Sequence, residues 1–509
     1  MKINKKNNSY VFFAYIVFLV FFFLILRLPS LIEPYWYGDE GIYAGVASQI
    51  LQGKKLYVDV WDHKPPGIFI IYTIIGHFSR LFSIDYQFLF RLVNLFFGGI
   101  TLLIGVWISK LLHNKFITGL VGIFLLFLIG TPYLEANVFN AENIFILFTA
   151  LAYFIFYKNT YKNKNFSPKI AFFIGLLFGL AIFVKIQPLF EMAGLILLAI
   201  VIGIKNKINL SKIFRYVFFI FFVSMLPIII SFIYYLVQGN VDQFIFSNFT
   251  FNLFYASGSR LQGSLSLFTK FFILVFITLG GIFLFFLKRI DHKFLFVFIW
   301  VVFAVLGSSL SSRTYAHYLL QLVVPITMFI WTFILYLILN INNLKKLDNI
   351  SSLILFIMIV SVIIKFFPIG QYKFGYIESK KNYYLYGYSS LINNDKNKFN
   401  SLFGHSVLET KEISKIIDEY GKNIWVWEDG SWYIWKNNID WPTKYLVNFH
   451  INDSNSEEVI SDIKKNEVSI IIVEKERPLL EDIANMINHD YNYLETRGKY
   501  EIYKYFNGR

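Results

Sequence analysis

Asp39, Glu40, Asp59, Asp62, His63 and Lys64 fall within YGDEGIYAGVASQILQGKKLYVDVWDHKPPG, residues 37–67. The stretch follows closely on the very apolar YVFFAYIVFLVFFFLIL, residues 10–26. Ionisable groups beside hydrocarbon are costly to maintain and point to function. An acidic pair at headgroup depth is suited to take a proton from a hydroxyl; an ordinary exposed acidic loop is the alternative. Lys64 is followed by Pro65-Pro66-Gly67. Two prolines fix φ and steer the preceding residue away from helix, so the ammonium is mounted on a stiff segment. Such a cation suits a phosphate. Asp62, His63 and Lys64 can also be read as a self-neutralising cluster.

Two further stretches carry similar chemistry. In LEANVFNAEN, residues 134–143, Glu135 and Glu142 are seven apart, two turns of a helix if the segment is helical. Glu142 opens the apolar run NIFILFTALAYFIFY, where a carboxylate gains from the helix dipole. Capping alone would explain Glu142 but not Glu135. In SSRTYAHYLLQLVVP, residues 311–325, Arg313 and His317 are four apart, expected on one helix face where the chain re-enters the membrane. Arginine offers a planar fork to phosphate oxygens, and His317 or Tyr318 adds donors; an arginine at a span boundary also anchors to lipid headgroups. Taken together, a base, a second acid and several cationic groups suit transfer from a lipid-linked phosphate to a hydroxyl or amine.

The elements that must hold these groups are membrane helices. The chain has 509 residues, 56% hydrophobic, 20% aromatic and 16% charged, with 59 Phe and no Cys. A soluble domain is about 45–50% apolar and roughly 25% charged. Several runs approach the ~20 apolar residues that cross a bilayer. The first lacks a small-residue cleavage site and reads as a retained span. Without cysteine, disulfides and thiol chemistry are excluded. The formal charge of +14 sits mostly in short loops between apolar runs, at 2–8, 110–115, 158–169, 205–212, 288–293 and 342–346. That is the positive-inside pattern, not a nucleic-acid surface. It predicts about eleven crossings, a cytoplasmic N-terminus and outward loops at 131–143, 187–191, 238–260 and 308–317. The alternation closes if residues 30–87 all stay outside, with IFIIYTIIGHFSRLF, residues 68–82, along the interface.

Past Pro368 the composition shifts. Short β-branched runs such as VSIIIVEK alternate with amphipathic patterns such as PLLEDIANMI, which predicts a small α/β domain over 370–509. It has no glycine-rich phosphate loop and no metal-ligand spacing. Trp425, Trp427, Trp432, Trp435 and Trp441 read as core more than as sugar platforms. A transporter or flippase of lipid-linked saccharides is the rival reading. It calls for ionisable residues in spans and for repeated halves. Lys185 and Lys365 lie in or beside apolar runs, yet no repeat is visible and the polar residues gather in outward loops.

The run DEGIYAGVASQIL…DVWDHKPPG, with LEANVFNAEN and RTYAHYLLQLVVP, resembles the GT-C class of glycosyltransferases. It is most similar to the group holding protein O-mannosyltransferases and the bacterial lipid A aminoarabinose transferase. The likeness covers roughly residues 10–340. It implies a polytopic α-helical, GT-C-like domain of about 11–13 transmembrane helices over 1–369, followed by a small extracytoplasmic α/β domain over 370–509. It also implies a polyprenyl-phosphate sugar donor, inversion, an outward-facing site in a prokaryotic cytoplasmic membrane, and a glycan, lipid or protein acceptor. By residue, Asp39 matches the acid that activates the acceptor and Glu40 is its partner. Lys64 matches the lysine on the donor phosphate, and Glu142 the second loop acid. Arg313, His317 and Tyr318 fall in a loop-to-helix motif that would add donors to the phosphate, with Asp62, His63 and Glu135 in support. No Asp-x-Asp is present, so the motifs allow a divalent metal without requiring one.

Overall fold

The computed structural model describes residues 5–253, 265–310, 313, 315–339, 347–367 and 380–506. The basic loop expected at 342–346, residues 254–260 of the 238–260 loop and the composition break at 369–370 lie outside them.

Helix dominates because the apolar runs are long enough to satisfy their own backbone in hydrocarbon. Among the described residues, seven helices are long and apolar enough to cross a membrane, and five shorter apolar helices accompany them. The polytopic helical fold expected from the sequence is thus the one observed. α1 spans Lys5–Arg27, α4 Tyr86–Leu112 and α5 Lys115–Gly130. Then come α6 (Ala141–Phe156), α7 (Pro168–Val184), α8 (Pro188–Lys205) and α9 (Leu210–Val237). Their starts use local chemistry. Asn114 accepts from the Ile117 amide at 2.9 Å and Asp291 from the Phe294 amide at 2.7 Å, while Pro168 and Pro188 begin α7 and α8. Side-chain caps and N-terminal prolines each relieve an orphan amide.

The chain divides into two compact units. The first comprises Met1–Ser30, Arg91–Ile233 and Leu253–Glu378. In it α7 lies directly on α9. A Cβ on Gly175 would come within 2.8 Å of the Ile220 carbonyl, and one on Gly179 within 3.1 Å of the Ser224 carbonyl. Small residues four apart let two membrane helices meet at backbone distance.

The second unit comprises Leu31–Phe90, Tyr234–Asn252 and Ser379–Arg509. It contains α2 (Gly38–Leu51), α3 (Pro66–Phe82) and a four-stranded sheet in the order β1-β2-β4-β3. β1 (Ile424–Trp427) and β2 (Ile470–Glu474) are parallel; β4 (Tyr500–Tyr505) is antiparallel to β2 and to β3 (Tyr491–Arg497). The small C-terminal α/β fold is therefore present. The unit that contains it also takes in the first polar loop. Gln49 in α2 donates to the Ile439 carbonyl at 2.8 Å and accepts from the Trp441 amide at 2.9 Å. The Trp61 amide donates to the Lys444 carbonyl at 2.9 Å. Trp425, Trp427, Trp432 and Trp441 are buried in its core; Trp435 is partly exposed and stacks on Tyr86 at 3.8 Å.

Candidate active site

In the second unit, Asp39 and Glu40 occupy the first turn of α2. The unsatisfied amides of a helix start favour anionic side chains there. Asp39 is half-buried and reachable, whereas Glu40 is completely buried. The neighbouring carboxylates thus differ in what they can touch.

Lys64 is held as its prolines suggest. Pro65 adopts φ −59°, ψ 157°, and Pro66 starts α3. The Lys64 amide donates to Asp62 Oδ1 at 3.0 Å, and its carbonyl accepts from the Tyr57 hydroxyl at 2.6 Å. Asn252 donates to the His63 carbonyl at 2.8 Å. With the backbone fixed on both sides, Lys64 Nζ lies 3.8 Å from Asp62 Oδ1 and 5.0 Å from the centre of the Tyr43 ring.

Asp62 is fully buried, and His63 Nδ1 is 3.6 Å from its Oδ1. His450 comes to the same place from the C-terminal segment, its ring 5.8 Å from that of His63 and 4.9 Å from Trp61. Ligand atoms of Asp62, His63 and His450 all lie within 4.8 Å of one another. Asp62 Oδ2 and both nitrogens of His450 are buried without a hydrogen-bond partner among the described residues. Burial pushes the His450 imidazole down to about 4, with Asp62 and Asp39 acting upward and Lys64 downward. Asp39 therefore shares an electrostatic neighbourhood with Asp62, Lys64 and His450. Neutral imidazoles and a carboxylate are the donor set of a zinc-like divalent ion, so these residues fit such an ion. No spacing in the sequence announces it, because His450 is a lone histidine in NFHIND.

The first unit holds the other expected residues. Glu135 and Glu142 do not share a helix face. Residues Pro132–Leu134 form one 3-10 turn, Glu135 turns left-handed at φ 57°, and α6 starts only at Ala141. The loop is held by buried polar groups from two apolar helices. Asn94 donates to the Ala136, Asn137 and Val138 carbonyls at 3.1, 3.1 and 2.9 Å. Arg91 donates to the Asn137 carbonyl and Arg27 to that of Ala136. The two acids then find separate partners. Glu135 Oε2 is 2.7 Å from His317 Nδ1, and Glu142, in the first turn of α6, pairs with Lys185 Nζ. Lys185 Nζ also lies 4.5 Å from the centre of the Tyr318 ring, which is 4.6 Å from the His317 ring. Glu135, His317, Tyr318, Lys185 and Glu142 thus form one connected chain.

Arg313 and His317 do not share a helix face either. Tyr315 is extended (φ −81°, ψ 131°), and His317 sits in the 3-10 turn Ala316–Leu319 that precedes helix Leu320–Leu339. Arg313 is partly buried in irregular chain. Arg27, Arg91, Asn94 and the pairing of Lys185 were missed by sequence reasoning. Their signal was present as ionisable or amide residues in otherwise apolar runs.

No protein-family model matches the chain, and no curated protein matches it. Solved structures do. ArnT from Cupriavidus metallidurans bound to undecaprenyl phosphate aligns at TM-score 0.52 and 10% identity, over 99% of this chain and 99% of that one. The same protein in the apo state aligns at 0.53 and 11%, over 98% of each chain. The chain has the fold of these structures. The oligosaccharyltransferase of Archaeoglobus fulgidus tethered to an acceptor peptide aligns at only 0.44 and 11% identity, over 99% of this chain and 75% of that chain, too distant to carry an argument. At such identities the likeness speaks to fold, and the chemistry rests on the residues.

Proposed function

We propose that the protein is a membrane glycosyltransferase that moves a sugar from a polyprenyl-phosphate donor to an acceptor at the outer face of a prokaryotic cytoplasmic membrane. The observation that carries this is the grouping of a reachable Asp39 with Asp62, Lys64 and His450 in one unit. That the ArnT structure of the same fold was solved bound to undecaprenyl phosphate supports the donor class.

In this reading Asp39 accepts the proton of the acceptor hydroxyl or amine as that atom attacks the anomeric carbon. The bond from that carbon to the phosphate oxygen breaks with inversion, and its electron pair leaves with the phosphate. Lys64 neutralises the charge that grows on the leaving group. Asp62, His63 and His450 would hold a divalent ion, which when bound supplies Lewis acidity toward phosphate oxygen. Donor binding draws on burial of the polyprenyl chain. The positive-inside distribution of the basic loops supports a cytoplasmic N-terminus and an outward C-terminal domain.

The alternative of a transporter has one observation in its favour. Glu191 and Lys270 are buried within apolar helices. Both are structurally satisfied: Glu191 accepts from Trp300 and Gln321, and Lys270 donates to the Ser309 carbonyl at 2.8 Å.

Membranes containing the protein, incubated with a panel of radiolabelled polyprenyl-phosphate sugars, test the reading. Label should move to an acceptor, and Asp39→Asn should lower transfer by ~10²-fold or more with the protein still inserted. Lys64→Ala should chiefly weaken donor use. Undiminished turnover in Asp39→Asn would refute the base assignment, and translocation of intact donor without transfer would favour the transporter.

A further inference from the structure

Glu191 is a carboxylate buried inside an apolar bundle, and the proposed chemistry does not use it. It lies in the first turn of α8, six residues after Lys185. Its Oε2 accepts from Trp300 Nε1 at 2.8 Å and its Oε1 from Gln321 Nε2 at 3.0 Å. The Tyr153 hydroxyl donates to its backbone carbonyl at 2.8 Å, and the Tyr153 ring stacks on Trp300 at 4.2 Å and 9°. Glu191 therefore ties α6, α8, helix His292–Ser308 and helix Leu320–Leu339 together, α6 through its backbone carbonyl and the last two through its carboxylate.

Two features show that the link to Gln321 is built and not incidental. A Cβ on Gly307 would lie 2.7 Å from Gln321 Nε2 and 3.0 Å from the Gln187 carbonyl. Only glycine at 307 lets the amide pass helix His292–Ser308 to reach Glu191. The second feature is Pro325, inside helix Leu320–Leu339. Proline has no amide hydrogen, so the Gln321 carbonyl loses its intrahelical donor, and the ring crowds that carbonyl. The first turn of this helix is thus weakly coupled to the rest. That turn follows directly on the 3-10 turn Ala316–Leu319, which carries His317 and Tyr318. An anchor on the Gln321 side chain replaces the rigidity that Pro325 removes.

We infer that Glu191 is a positioning residue: through Gln321 it fixes the turn that presents His317 to Glu135 and Tyr318 to Lys185. Its kinetic consequence rests on the proposed reading of His317 and Tyr318 as donors to the phosphate. The structural part stands apart from it. Hydrogen exchange of the 315–321 segment in the detergent-solubilised full chain reads the positioning directly, and sugar transfer reads its consequence. Glu191→Ala and the milder Gln321→Met should both speed exchange of this segment relative to α5. They should lower kcat by ~10- to 100-fold, as sub-ångström to 1 Å misplacement does, with KM for the donor changed by less than about threefold. Glu191→Gln should restore both readouts, because an amide pair can form once Gln321 flips. Unchanged exchange in Gln321→Met, or failure of Glu191→Gln to rescue, would overturn the inference. If the wild-type protein transfers no sugar but the exchange pattern holds, the functional reading fails and the positioning stands.

Discussion

Glu428 offers a pH test of the domain that carries His450. It follows β1 and is buried, and its Oε2 accepts from the Tyr500 hydroxyl at 2.7 Å. Burial pushes its carboxyl up to about 8; the Tyr500 hydrogen bond and Lys499 oppose this, and the Glu409 and Glu474 carboxylates add to it. The folded protein therefore keeps a proton on Glu428 that the unfolded chain releases near the ordinary glutamate value of 4.5. The stability this group contributes is fully present below pH 4.5, falls as pH rises through the interval, and is gone above pH 8. At 1.36 kcal/mol for each tenfold, the full loss is ~5 kcal/mol. Glu428→Gln keeps an oxygen for Tyr500 and removes the ionisation. A unit of about 200 residues moves its midpoint by ~2–4 °C per kcal/mol. The variant should therefore melt ~10–20 °C above wild type at pH 8.5 and close to it at pH 5. Thermal unfolding of the full chain in detergent, followed by tryptophan fluorescence, measures this, since Trp425 and Trp427 flank the site. The Asn448 amide donates to the Glu428 carbonyl at 3.1 Å, two residues before His450, so loosening should reach the candidate site as well. An equal difference between variant and wild type at the two pH values would refute the reasoning.

Zinc at about 100 times its dissociation constant should stabilise the protein by ~2.7 kcal/mol, reversibly with a chelator; an equal shift in His450→Ala would rule out the Asp62, His63, His450 cluster as the site. Removing either member of the buried Glu142–Lys185 pair should cost ~3–5 kcal/mol, and Glu142→Gln combined with Lys185→Met clearly less than the sum of the two. Additive losses in that cycle, read by the same melting assay, would mean the two charges act independently.

What the sequence made legible was local. Asp62, His63 and Lys64 are consecutive, so short-range geometry brings them together. Apolar length alone dictates the spans. The misses came where the backbone left helix in a stretch whose residue spacing still suited one. LEANVFNAEN reads as two helical turns by spacing, yet its asparagines favour turns over helix and its carbonyls are taken up by Asn94, Arg91 and Arg27 from other helices. That exchange of hydrogen bonds is tertiary, and no periodicity encodes it. His450 was invisible for the same reason, since only folding of the C-terminal segment onto α2 brings it beside Asp62.

The pairing pattern also ranks the cations as phosphate partners. Lys185 is ion-paired with Glu142 at hydrogen-bond contact. Recruiting it to a phosphate would leave a buried carboxylate uncompensated, which is strongly destabilising. Lys64 stands 3.8 Å from Asp62 Oδ1, beyond a hydrogen bond, and the same oxygen already accepts the Lys64 amide. The stiff Lys-Pro-Pro mount restricts movement to the side chain. Lys185 is better suited to holding Glu142 and the Tyr318 ring in place than to meeting a phosphate.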